Sequence, residues 1–196
     1  MLFVEDAPYI SGEAVVSLKP TKRVVIEVID EENAPIPLDE VHALSSKYIP
    51  AVPPAPIGFS NTGTLTLYTN LKDPITIITI KRPSLTSDGY LLVKEVKPEN
   101  QDAVTISSAN TSTLLVSAYE PDGSLLHRWD IEVRLPDLYL GHWVFLFPIA
   151  GKSTIHTSPM NAVINARYIP PRWYFYFEST ALSLRVNPHV LVIFRR

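Results

Sequence analysis

Tyr139-Leu140-Gly141-His142-Trp143-Val144-Phe145-Leu146-Phe147 is the most apolar run in the chain, and Pro148 closes it. In an extended backbone Trp143, Phe145 and Phe147 share one face while Val144 and Leu146 share the other, so the run reads as a strand that is apolar on both sides. A strand in a two-layer sandwich meets the core from one side only, and its other face is normally polar. This stretch therefore sets the expectation of a β-rich protein with more apolar strand surface than one small sandwich easily hides.

Toward the C-terminus the β pattern continues. Thr154 to Thr157, Ala162 to Ile169, Arg172 to Phe177, Ala181 to Val186 and His189 to Phe194 read as strands. Leu182, Leu184 and Val186 lie opposite Ser183 and Arg185, as a half-buried strand requires. Trp173, Phe175 and Phe177 back onto Tyr174 and Tyr176, and Val190, Val192 and Phe194 back onto Leu191 and Ile193, so these two runs are again apolar on both faces. Each large apolar side chain left in water forgoes roughly 1.5–3 kcal/mol of burial. Such faces call for cover by a further layer of the same chain, by a neighbouring subunit or by an apolar ligand.

Toward the N-terminus, Ser124 to Leu135 follows the turn Pro121-Asp122-Gly123, where proline presets φ and glycine tolerates a positive one. Thr113 to Tyr119, Ala103 to Ser107, Tyr90 to Val96, Ile75 to Ile80 and Thr64 to Thr69 are further strands. Glu13 to Leu18 and Arg23 to Ile29 read as a first hairpin across Lys19-Pro20-Thr21-Lys22, and Leu2, Phe3, Val4, Tyr9 and Ile10 as a short edge strand or a strand added to a neighbour. Between residues 30 and 58 the pattern breaks into a proline-rich connection, read as a crossover or a docking arm, in which Leu38 to Lys47 suits a short helix with Asp39 and Glu40 in its first turn. Pro20, Pro74, Pro83, Pro98, Pro121, Pro136, Pro148 and Pro159 stand where strands begin or end. Strands at this spacing give an all-β, antiparallel β-sandwich, jelly-roll or immunoglobulin-like, as a single domain over residues 1–196, with residues 138–196 as an aromatic, basic strand set.

Charged residues are 19% and apolar residues 46% of the 196, a composition that folds. No cysteine is present, which excludes disulfides and thiolate metal sites. Two Met and one Gln with proline-rich connections lean toward a thermophilic source, while eight Asn and the modest charge lean away. The acidic start Met1-Leu2-Phe3-Val4-Glu5-Asp6 is not that of a secretory leader, and no apolar run approaches the ~20 residues of a membrane helix. Charge is divided: residues 1–137 hold 11 Lys and Arg against 19 Asp and Glu, net −8, and residues 138–196 hold six against one, net +5. Such a division favours head-to-tail association if the two parts also separate in space.

Motifs that carry chemistry are missing. His42, His127, His142, His156 and His189 are scattered, so no metal and no cofactor is expected. No glycine-rich phosphate loop and no G-x-S-x-G elbow occur. His156-Thr157-Ser158 alternates across a strand and is no nucleophile and base pair. Asp130 and Glu132 share a strand face with Arg128 and Arg134, the pattern of a solvated, charge-paired face rather than of two glycosidase carboxylates. Asn110-Thr111-Ser112 matches a glycosylation sequon. Arginines among Trp173, Tyr174 and Tyr176 would suit single-stranded nucleic acid, but a pI near 5.9 argues against that partner.

These features point to a non-enzymatic assembly protein, a subunit of a viral shell, a virion or an extracellular filament, or else a cytoplasmic assembly, with copies of itself and other structural proteins as partners. The expected interface comprises Leu2, Phe3, Val4, Trp143, Phe145, Phe147, Trp173, Tyr174, Tyr176, Leu191 and Ile193. The alternative is a carbohydrate-binding module in which Trp143, Trp173 and Tyr174 stack on sugar rings.

Overall fold

The computed structural model describes residues 9–10, 13–14, 21–45, 56–70, 72–119, 122–126, 129–136, 145–149, 151–168, 176–183 and 189–193. All regular structure among them is β. In chain order the strands are β1 (Tyr9–Ile10), β2 (Glu13–Ala14), β3 (Lys22–Ile29), β4 (Leu38–Ser45), β5 (Gly58–Ser60), β6 (Thr64–Thr69), β7 (Ile75–Lys81) and β8 (Gly89–Val96). They continue as β9 (Ala103–Ser107), β10 (Ser112–Tyr119), β11 (Trp129–Arg134), β12 (Phe145–Ile149), β13 (Lys152–Thr157), β14 (Asn161–Tyr168), β15 (Tyr176–Ser183) and β16 (His189–Ile193). No helix among the described residues is long and apolar enough to cross a membrane. The chain packs as two compact units, each built from separated segments: Met1–Ile78 with Lys94–Ser107, and Thr79–Val93 with Ser108–Arg196.

In the first unit β6, β3 and β9 form a three-stranded sheet in that order, antiparallel between β6 and β3 and parallel between β3 and β9. Alternation decides its inner face: Val24, Ile26, Val28, Leu67, Val104 and Ile106 are buried, while Arg23, Glu27, Thr64, Tyr68, Ala103 and Thr105 are exposed. The buried Ile36, Leu38, Val41, Ile75, Ile77 and Val96 of the same unit supply the apolar surface that a sandwich of this kind needs. The acidic corner after β3 is a tight turn: the Asp30 Oδ1 accepts the N–H groups of Glu32 and Ala34 at 2.9 and 2.8 Å, and Asn33 takes φ 65°. Asparagine tolerates that left-handed backbone because its short polar side chain bonds locally.

In the second unit β12, β11, β14 and β15 form an antiparallel four-stranded sheet in that order. Trp129, Ile131 and Val133 of β11, Phe145, Phe147 and Ile149 of β12, and Ala162 and Ile164 of β14 are buried. The strands β16, β10, β13 and β8 are hydrogen-bonded neighbours in that order, with Leu114, Val116, Ala118, Ile155 and Leu91 buried. The parallel pair of β13 with β8 is pinned at its end by Ser158, whose Oγ accepts the Val93 N–H at 2.9 Å and whose N–H donates to the Leu91 carbonyl at 3.0 Å.

Several sequence expectations change. The short helix over Leu38 to Lys47 is instead the strand β4, with Val41 to Ser45 buried without a break. A run buried on consecutive positions is what a strand flanked on both faces shows, and that context overrides the helix-compatible acids at its start. β4 and β5 thus break up the expected 30–58 connection. Among the described residues the expected first hairpin is not seen: Glu13 and Ala14 in β2 pair with β1, and β3 pairs with β6 and β9, while residues 15–20 lie outside the described residues. Pro148 does not end the opening strand, which runs on to Ile149 with Pro148 opposite Asp130. β12 ends the order of its sheet, and an edge strand tolerates a residue without an N–H. Arg172 to Phe177 and Ala181 to Val186 are joined by one strand, β15, across the gap expected between them.

Candidate functional site

The scattered histidines stay apart. His42, 7% exposed on β4, lies 3.2 Å by Nε2 from the Glu40 Oε2, and His156 on β13 lies 2.9 Å by Nε2 from the Asp88 Oδ2. Among the described residues no three acids and histidines are grouped as metal ligands. His127 and His142 lie outside the described residues, and His189 opens β16. Asp130 and Glu132 sit half-buried on one face of β11, in register with Arg167 and Asn165 of β14. In the sequon Ser112 is buried and Thr111 folds back on the Ser108 carbonyl, Oγ1 donating at 2.8 Å.

One linked group was not legible in the sequence. The register of β13 with β8 sets His156 opposite Tyr90, and their rings stack with centroids 4.9 Å apart and planes at 21°. The Lys81 ammonium lies 5.4 Å from the Tyr90 ring centroid, and Asp88 engages His156 beyond it. Residues 81, 88, 90 and 156 meet only because a parallel strand pair brings the last of them beside the β7–β8 turn. With side chains 27% and 50% exposed, His156 and Asp88 form a solvent-facing clasp, not a buried catalytic pair. Asp88→Asn is expected to cost no more than about 1 kcal/mol in unfolding free energy, measured by urea titration, because an exposed pair gains little over hydration.

Among the described strands, β6 and β9 end the order of the three-stranded sheet of the first unit. The Val28 N–H donates to the Gly63 carbonyl at 2.8 Å and the Val25 N–H to the Asp102 carbonyl at 2.9 Å. Val24, Ile26 and Val28 therefore turn their backbone groups toward β6, and Val25 and Glu27 toward β9. Register then directs the backbones of Leu65 and Leu67 inward and those of Thr64, Thr66 and Tyr68 outward; on β9 the backbones of Ala103 and Thr105 face outward. Neither strand contains a charged residue or a proline, the two commonest means of blocking an edge. The outer edge of β6 is partly occupied, because the Ser60 Oγ donates to the Thr64 carbonyl at 2.7 Å. The start of β9 is flanked by Glu99 and Asp102, the latter with its side chain 89% exposed although Lys22 lies 3.1 Å from its Oδ1.

Of the residues expected at an interface, Phe145 and Phe147 are 6% and 0% exposed, covered by their own chain. Tyr176 opens β15, and Leu191 and Ile193 lie on β16. Leu2, Phe3, Val4, Trp143, Trp173 and Tyr174 lie outside the described residues. Among the residues whose burial is described, the large apolar side chains that face water are Phe59, Leu85, Tyr68 and Leu115.

No family model matches this chain, and no curated protein does. Loose structural similarity extends to the Bacillus anthracis TIE protein, with 10% identity over 89% of this chain and 34% of that one, at a TM-score of 0.36. This chain thus spans about a third of that protein's length. The shaft pilin SpaA from Lactobacillus rhamnosus GG matches at 10% identity over 89% of this chain and 97% of that chain, with a TM-score of 0.34. A minor pilin from Streptococcus agalactiae matches at 11% identity over 88% and 94%, with a TM-score of 0.33.

Proposed function

We propose that this chain is a non-enzymatic structural subunit that joins copies of itself, head to tail, into an extracellular filament. The observation that carries this reading is the division of charge between the two compact units. The first unit holds seven Lys and Arg against 13 Asp and Glu, net −6, and the second holds ten against seven, net +3. The units are defined by packing alone, yet they divide the charge in the same sense as residues 1–137 and 138–196 do, by a smaller margin. A molecule with an acidic part and a basic part is attracted to its own copies in a polar sense, acidic unit against basic unit. Contacts of that kind join unlike surfaces, and where the rotation does not close a ring they grow into an open filament rather than a closed shell. Leu2, Phe3, Val4, Trp143, Trp173, Tyr174, Tyr176, Leu191 and Ile193 remain part of the proposed contact, whereas the buried Phe145 and Phe147 do not.

Charge reversal tests the reading. Glu31 and Glu32 are exposed in the turn after β3, so Glu31→Lys with Glu32→Lys changes the charge of the first unit from −6 to −2 without touching its core. Sedimentation velocity at low ionic strength is expected to show association weakened by roughly tenfold, and the variant's residual association to respond less to salt. Association unchanged in both respects would contradict the proposal.

A further inference from the structure

We infer that Asp122 is a self-modification site: its link to Gly123 rearranges through a cyclic imide to isoaspartate, while the fold holds the same dipeptide at Asp88-Gly89 unreactive.

The sequence has two Asp-Gly pairs and no Asn-Gly pair. The reaction at such a pair needs only the chain itself and water. The glycine nitrogen attacks Cγ of the protonated side-chain carboxyl; the N–Cγ bond forms, and the carboxyl hydroxyl leaves as water with the amide proton. Water then adds to the main-chain carbonyl carbon of the imide, whose bond to the glycine nitrogen breaks. The chain now runs through Cγ, the former main-chain carbonyl is a free carboxyl, and the mass equals that of the starting protein. The rate depends on whether the glycine peptide can turn and whether Cγ is held near its nitrogen.

At Asp122 the structure supplies both. Asp122, Gly123 and Ser124 are exposed. Gly123 takes φ +85°, and a Cβ built on it meets no atom of the described residues within 4 Å, so the peptide has room to rotate. The Ser124 N–H donates to the Asp122 Oδ1 at 2.9 Å, and the Ser124 hydroxyl donates to the same oxygen at 2.6 Å. That turn closes a ring through Cγ, Cβ and Cα of Asp122 and the Gly123 peptide unit. It therefore folds the carboxyl carbon back toward the Gly123 nitrogen.

At Asp88 the same dipeptide is tied down. The Asp88 Oδ2 lies 2.9 Å from the His156 Nε2 on another strand, which draws the carboxyl away from its own backbone. Gly89 is buried in register with Ile155 of β13, and a Cβ there would meet the Pro83 Cδ at 2.8 Å and the Lys81 carbonyl oxygen at 3.2 Å. The Gly89 peptide cannot turn without parting β8 from β13. The turn after β10 is thus where this chain ages first.

The test keeps the full chain at neutral pH and physiological temperature over weeks and then digests it. Isoaspartate is scored peptide by peptide with an isoaspartyl methyltransferase and labelled S-adenosylmethionine. In the folded chain, label is expected in the peptide holding Asp122 and at least about tenfold less in the peptide holding Asp88, because that segment reacts only from a locally opened state. In concentrated urea the two rates are expected to converge. Asp122→Glu is expected to abolish label in its peptide, since the imide would need a larger ring, whereas Asp88→Glu leaves that label unchanged. Equal label at the two sites of the folded chain, or more at Asp88, overturns the inference. So does a folded chain without label at Asp122 over a time in which the chain in urea reacts at both sites. A difference that persists undiminished in urea assigns the contrast to flanking sequence rather than to the fold, and likewise overturns it.

Discussion

Trp129→Ala is expected to destabilise the second unit by roughly 3–5 kcal/mol, the range for deleting a buried aromatic side chain. The indole is 2% exposed on β11, in register with Ile149, and it lies on the face that also buries Ile131, Val133, Phe145 and Phe147. Its Nε1–H donates to the Gly151 carbonyl at 3.2 Å, tying the β12–β13 turn to the core. Alanine leaves a cavity among residues already in place and a carbonyl with one bond fewer. Thermal unfolding is expected to fall by about 10 °C. Trp129→Phe keeps a six-membered aromatic ring in the core while losing the donor and the pyrrole part of the indole, and its cost is expected to be nearer 1–3 kcal/mol. Equal losses in the two variants would show that the hydrogen bond, not the volume, holds this region.

Gly63→Ala is expected to cost the first unit roughly 3 kcal/mol, combining left-handed strain with overpacking. Gly63 adopts φ +71°, and a Cβ there meets the Val28 carbonyl oxygen at 2.8 Å and the Ile36 nitrogen and Pro35 Cβ at 3.0 Å. Two of those neighbours are backbone that cannot swing aside. The same glycine accepts the Val28 N–H, so any shift that relieves the contact loosens the first rung of the β3–β6 ladder. Gly123→Ala is the matched control: φ is +85° there, but nothing lies within 4 Å of the added Cβ. It is expected to cost only about 1 kcal/mol. Equal unfolding midpoints for the two variants would contradict the steric part of this account.

Much of the fold was legible because a half-buried strand writes itself as alternation. Ala103–Ser107 emerges with the bounds expected from its pattern, and Thr64–Thr69 likewise. Reading failed where tertiary cover removes that alternation. The positions Leu38, Val41 and His42 repeat at helical spacing, and only the strands beside β4 make them a strand. Pro148 reads as a terminator until its strand is known to be the last of its sheet, a fact of strand order and not of local sequence. The candidate interface was legible in part. The charge division is visible by counting, but which backbone groups of β9 face away from β3 depends on the way each peptide faces, and that is set by its partner strand. The clasp of Lys81, Asp88, Tyr90 and His156 was illegible for the same reason.

The central claim, that copies of this chain associate through oppositely charged units, is tested most directly by the mass of the purified protein in solution. Light scattering is to be measured over a wide concentration range at low salt and again near 1 M salt, where screening shortens to about 3 Å. The account predicts a mass that rises with concentration above the 21.9 kDa of one chain and falls back toward it when salt is raised. A mass of 21.9 kDa at every concentration and both salts would contradict it.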